Sequence, residues 1–207
     1  WKIIKEFLSL EKMKDSYLFL AKGFEEVEAL TAVDVLRRAG IPVKTVSITD
    51  VLQVEGAHNI TVTADCLFSD TNFESAPWLI LPGGMPGATN LHEYAPLNEL
   101  LLKQASSHRG IAAICASPAI ILSPIGLLRG RKATCYPGME DNAGGAEWTG
   151  RPVVADKHFV LGNGPATAML WALNIVEQTI GAEQARAVAA GLLFFPPQDS
   201  NLDFTFG

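Results

Sequence analysis

One of the three cysteines stands where a nucleophile would be presented. Cys115 falls between the apolar run GIAAI (110–114) and the segment ASPAIIL (116–122), a switch from strand to helix. Such an elbow lifts a side chain above the sheet, while the helix N-terminus behind it favours the thiolate. Burial is the plain alternative, because free cysteine is often a core residue, and position alone leaves both open. Cys66 and Cys135 read as inert core residues, although Cys135 also ends a strand.

A thiol needs a partner to manage its proton, and the helix predicted over Glu25–Ala39 offers two carboxyls. At about 100° per residue, Glu25 and Glu28 share the apolar half with Ala29, Ala32, Val35 and Leu36. Asp34, Arg37 and Arg38 point the other way. A carboxyl held on the apolar half is pushed towards its neutral form and can donate a hydrogen bond or shuttle a proton. Either acid could equally be a solvated first-turn residue that favours the helix dipole, and spacing does not choose between them. The same wheel leaves Val27 and Leu30 outward, beside Asp34 and Arg38, which suggests a self-complementary two-fold contact. His58, His92, His108 and His158 show no metal-ligand spacing and read as surface residues in turns or at helix ends; no metal is expected.

The elements that must position these groups alternate. Strands are expected at SYLFLA (16–21), 43–48, WLIL (78–81), GIAAI, 132–135, 153–155 and 159–162. Helices are expected at 25–39, 96–107, 116–125, 165–180 and 182–190, with a short antiparallel excursion at 51–54 and 60–64. That order implies one α/β domain, a doubly wound sandwich on a mostly parallel sheet. Ligands of such sheets bind beyond the carboxyl ends of the strands. Five of those ends are marked: KGFEE (22–26), PGGMPGA (82–88), CASP (115–118), CYPG (135–138) and GNGPAT (162–167). Glycine lets backbone N–H groups approach a ligand, so this edge reads as an anion or oxyanion pocket walled by Gly83, Tyr136, Gly164 and Pro165.

Composition narrows the class. The chain has 207 residues, 48% hydrophobic and 18% charged, with a formal charge of −6. The acidic balance and the lack of a basic cluster longer than Arg129–Lys132 argue against a nucleic-acid or membrane-surface partner. Three cysteines without a C-x-x-C pair suggest neither a disulfide framework nor a cysteine zinc site, and point to a reducing, cytoplasmic compartment. No dinucleotide fingerprint or Walker pattern is present, so no cofactor is expected. The longest apolar run, 111–122, is short for a membrane span, and the opening residues lack a secretory cleavage site. Residues 1–15 are expected to be an extension, with Met13 the natural start; the domain occupies 16–193, and 194–207 a loosely attached tail.

Four stretches in order, LAKGFEEVEALTAVDVLRRAGI (20–41), LILPGGMPGATNL (79–91), IAAICASPAIIL (111–122) and GNGPATAMLWAL (162–173), resemble the ThiJ/PfpI superfamily, specifically its DJ-one branch. The resemblance spans 16–193. It implies a flavodoxin-like, class I glutamine amidotransferase-like sandwich. By position, Cys115 matches the family's reactive, oxidation-sensitive cysteine and Glu28 the protonated acid beside it, while Gly84 and Ala116 match the N–H donors of an oxyanion hole. Arg38 and the region of Val27 and Leu30 match a homodimer interface. The implied activity is a cofactor-independent, cysteine-dependent glyoxalase or deglycase acting on methylglyoxal-like α-oxoaldehydes or their adducts and releasing 2-hydroxy acids. The alternative is a redox-sensing stress protein or chaperone using an oxidisable cysteine. Two departures matter: Ala116 stands where protease-like members place a histidine, which weakens a PfpI-type cysteine peptidase, and Tyr136 stands where a histidine can occur near the pocket.

Overall fold

A computed structural model of the chain describes residues 13–140, 144–156 and 158–194. The expected extension up to residue 12 and the tail beyond Phe194 lie outside the described residues.

A seven-stranded sheet forms the middle layer, in the order β10 (Val153–Asp156), β11 (Phe159–Gly162), β7 (Gly110–Ile114), β6 (Trp78–Leu81), β1 (Ser16–Leu20), β2 (Val43–Ser47), β5 (Cys66–Leu67). All pairings are parallel except β10 with β11. The strands β1, β6 and β7 are buried along their whole length, so they are continuous apolar runs. Alternate residues serve two cores. Leu18, Leu20, Ile80, Ile114 and Val160 pack under α1 (Glu26–Arg38), α4 (Ala168–Ile180) and α5 (Ala182–Gly191). Tyr17, Phe19, Leu79, Leu81, Ile111 and Leu161 pack against α2 (Gly87–Glu93) and α3 (Ala95–Ser106).

Helix α1 ends as its sequence demands. Gly40 takes φ 72°, and the Ile41 N–H reaches back to the Leu36 carbonyl at 3.0 Å, closing the last turn. The expected excursion is an antiparallel hairpin of β3 (Gln53–Glu55) and β4 (Thr61–Thr63). Three expectations need correction, and two elements were not expected. The helix expected over 116–125 is shorter, a five-residue π-helix, Pro118–Leu122, in which the Ser123 N–H bonds the Pro118 carbonyl at 3.0 Å. The segment 132–135 is a strand only at β8 (Lys132–Ala133), paired with β9 (Glu147–Trp148). The helix expected from Pro165 begins at Ala168, after a single 3₁₀ turn. Strand β5 and helix α2 were not expected, because two strand residues and a seven-residue helix are too short to carry a period.

Candidate active site

The parallel neighbours β11, β7, β6 and β1 bring four loops to one edge of the sheet. At its centre Cys115 follows β7 with φ 62°, a left-handed conformation that a side-chain-bearing residue adopts only when its surroundings enforce it. Two backbone bonds enforce it: the Cys115 N–H donates to the Gly162 carbonyl at 3.0 Å, and its own carbonyl accepts from the Tyr136 N–H at 2.8 Å. The Ser117 hydroxyl, which sequence reasoning did not single out, donates to the Pro82 carbonyl and ties the elbow to the glycine loop after β6.

Glu28 reaches the thiol from the first turns of α1. Its side chain is fully buried, and Oε2 accepts a hydrogen bond from the Gly83 N–H at 2.7 Å. Oε1 is buried without a well-aligned partner among the described residues, yet the carboxyl lies close enough to Cys115 for each group to shift the other. Burial pushes the Glu28 carboxyl up to about 7, against the pull of the Gly83 N–H. Burial also pushes the Cys115 thiol up to about 12, with the Glu28 charge adding to it, while the N–H groups of Gly84 and Ala116 pull it down. A thiolate held low by a helix N-terminus, the sequence expectation, is therefore corrected. Cys115 is only 8% exposed, and the Ala116 N–H at the head of the helical segment that follows is outweighed by burial and by Glu28. Each member of the pair resists charge next to a charged partner, so a proton resting on Glu28 is what makes a thiolate tolerable beside it.

The glycines here are required by close approach. A Cβ on Gly83 would stand 2.6 Å from the Cys115 Cβ and 2.9 Å from Glu28 Oε2; Gly84 sits at φ 89°, where a Cβ would overlap the Glu25 N–H nitrogen and the Gly23 carbonyl. The Tyr136 ring packs beside Gly164, whose φ of 166° is ordinary extended backbone, and Pro165 opens the following turn. Tyr136 is 47% exposed.

The second acid on the apolar half is Glu26, where the helical wheel had pointed to Glu25. Glu26 is buried, and its carboxylate accepts from the His58 N–H at 2.7 Å and engages His58 Nδ1 at 2.7 Å. His58 also lies 3.7 Å from Glu25 Oε1. His58 is thus an exposed residue with two acidic neighbours, whereas His92 and His158 are half-buried, contrary to the surface placement expected of all four. Ligand-type atoms of Glu25, Glu26 and His58 fall within 4.8 Å of one another, but they already satisfy each other. The β3–β4 hairpin that carries His58 also receives the Gly23 N–H on Glu55 O at 2.8 Å, and the Asn90 side chain holds Lys22 O at 2.8 Å. Those anchors steady the loop whose Glu25 N–H donates to Gly83 O. They join residues far apart in the chain, and no local spacing signals them.

A family model described as DJ-1/PfpI family matches residues 14–178. The chain belongs to the DJ-1/PfpI family. It is 39% identical over 178 residues to Protein DJ-1 homolog B of Arabidopsis thaliana, covering 86% of this chain but 41% of that relative, so it spans about two fifths of the plant protein's length. It is 35% identical to Deglycase PH1704 of Pyrococcus horikoshii, over 77% of this chain and 96% of that one. Among solved structures, oxidized Toxoplasma gondii DJ-1 superposes with a TM-score of 0.81 at 35% identity, covering 88% of this chain and 99% of the other. The mostly parallel, doubly covered sheet is the sheet of this family. No helix among the described residues is long and apolar enough to cross a membrane.

Proposed function

We propose that the protein is a cofactor-independent, cysteine-dependent glyoxalase or deglycase that converts methylglyoxal-like α-oxoaldehydes, or their adducts with amines and thiols, to 2-hydroxy acids. The observation that carries this reading is the left-handed Cys115 elbow set against a buried carboxyl whose pKa lies at about 7. The Pyrococcus relative, named a deglycase, supports it. The Cys115 sulfur adds to the aldehyde carbon, and its proton passes through Glu28 to the carbonyl oxygen, which the N–H groups of Gly84 and Ala116 hold as charge develops. Glu28, now a carboxylate, takes the hydrogen from that carbon and delivers it to the adjacent one by way of an enediol. The product of this internal rearrangement is a thioester of the 2-hydroxy acid. Water cleaves the thioester and returns the thiol, so methylglyoxal plus water gives lactate without an outside oxidant. A group near neutrality suits both halves of the cycle, because it must give and take a proton at the same pH. Cys115→Ser is expected to reduce lactate formation from methylglyoxal to the uncatalysed background; undiminished turnover in that variant ends the proposal.

A second reading uses the same donors. Peroxide would oxidise Cys115 to a sulfinate whose oxygens the Gly84 and Ala116 N–H groups and a protonated Glu28 would hold, in keeping with a relative whose structure is described as oxidized. Selective gain of two oxygens at Cys115 after mild peroxide, with no aldehyde turnover, is the result that favours it. In either role we place a two-fold dimer contact over Val27 and Leu30, which are 53% and 42% exposed, flanked by the Arg38–Asp34 pair at 2.7 Å. Leu30→Glu is expected to convert a dimer to a monomer in sedimentation, and a wild-type chain that sediments as a monomer at micromolar concentration removes the contact.

A further inference from the structure

The opposite edge of the sheet carries a recess of different character. There the amino-terminal ends of β6 and β7 and the approach to β11 meet the last turns of α4, enclosing a cleft of about 350 Å³ lined by Trp78, His108, Arg109, His158, Gln178 and Thr179 among others. The five residues of β7 separate it from Cys115 by about 15 Å. No described carboxylate lines it, although the chain as a whole carries a surplus of acids.

Its walls are built rather than incidental. The Trp78 indole donates to Thr179 Oγ1 at 2.8 Å, and it lies flat on the start of β7 because residue 110 is glycine; a Cβ there would overlap the ring. His108 occupies a left-handed turn, φ 53°, that reverses α3 into β7, with its N–H on Ala105 O at 3.0 Å. Its ring meets that of His158 edge to face, 5.5 Å between centroids. Arg109 comes next in the chain, with no ion pair among the described residues and with Nε buried and lacking an acceptor. A buried donor without a partner is a cost that an oxygen-bearing ligand removes, and guanidinium presents its donors as a planar fork suited to oxyanions. The His108 and His158 rings stand beside it in the lining, and the Gln178 amide adds two N–H donors at the rim.

We propose that this cleft binds a compact oxyanion, a phosphate group or a carboxylate, on the Arg109 guanidinium, with the His108 and His158 imidazoles and the Gln178 amide beside it. The site is independent of the chemistry assigned to Cys115 and survives its failure. The test monitors the ring C–H signals of the four histidines by NMR while inorganic phosphate, or acetate, is titrated at fixed pH and ionic strength. Saturable shifts of His108 and His158, with His58 and His92 unmoved, are expected for at least one of the two anions; saturation by phosphate alone identifies a phosphate group, by acetate alone a carboxylate. Arg109→Gln is expected to weaken that binding at least about tenfold. Should that variant fail to fold, His108→Asn decides, because asparagine tolerates the left-handed turn, and it should weaken binding several-fold. Shifts linear in anion concentration, equal movement of all four histidines, or full binding by the folded variants would each overturn the site.

Discussion

Glu26 and Glu28 are two residues apart on the same helix, both are almost wholly buried, and their carboxyls are driven in opposite directions. Burial is the largest influence on each. For Glu28 it prevails over the Gly83 N–H and the Cys115 side chain, with the nearby Glu25 charge adding to it, and the carboxyl rises to about 7. For Glu26 it is overcome, because His58 brings a ring, a backbone N–H and a charge, and the carboxyl falls below its ordinary value. Depth and partner act together: Glu28 lies far deeper than Glu26, which sits close beneath the exposed His58 and is held charged by it. One side of the α1 N-terminus is a clamp that fixes the hairpin, and the other keeps a proton in play beside a thiol.

Glu28→Gln is the strongest way to test that contrast. Glutamine keeps the shape and can meet the Gly83 loop, but cannot exchange a proton, so lactate formation is expected to fall by about 10²- to 10⁴-fold. A loss below tenfold would move the proton transfer to another group. The same variant reads stability. A folded-state pKa raised from 4.5 to about 7 means the folded protein keeps a proton that the unfolded chain has released, so stability falls as pH rises across that window. The rise corresponds to about 3 kcal/mol, and denaturant melts of wild type and variant should differ by about that much more at pH 8 than at pH 4, in favour of glutamine. A constant difference across the range would mean that Glu28 ionises as freely in the fold as in the open chain.

Much of this contrast was visible in the chain and its decisive half was not. Periodicity put Glu28 on the apolar half of α1, and the abrupt change after GIAAI put Cys115 on an elbow; both are local patterns, three to seven residues long, and local patterns survive folding. Periodicity gave no sign of Glu26, because what buries it is Gly56–His58, some thirty residues on. A Cβ on Gly56 would overlap the Glu26 carboxylate, so glycine at that position is what lets the hairpin close over the helix. The thiol was misjudged for a related reason. Helix-terminus reasoning weighs only the donors, and burial together with the Glu28 charge outweighs the Gly84 and Ala116 N–H groups beside the sulfur. The strands were legible because both faces are covered, whereas β5 owes its existence to the edge of β2 more than to its own two residues.

A smaller effect distinguishes the partner from the pocket directly. His58→Ala removes the ring and its charge but leaves the backbone N–H that also bonds Glu26. With the ring's hydrogen bond and charge gone and two backbone N–H bonds still holding the carboxylate, the Glu26 carboxyl should rise from its lowered value but stay short of the 7 reached by Glu28. Carboxyl-carbon NMR of the glutamates against pH reads this. The sign on stability comes from both partners. Glu26, lowered in the fold, contributes stability above its unfolded pKa of 4.5 and loses it as pH falls through the folded value; His58, raised above 6.5, contributes below 6.5 and loses it as pH rises through its own. The pair therefore supports the hairpin most strongly between those limits, and the alanine variant should lose stability there and approach wild type outside them. An unmoved Glu26 titration in the variant would mean that helix dipole and backbone hold the carboxylate charged without the imidazole, and that the two acids differ by their backbone donors alone.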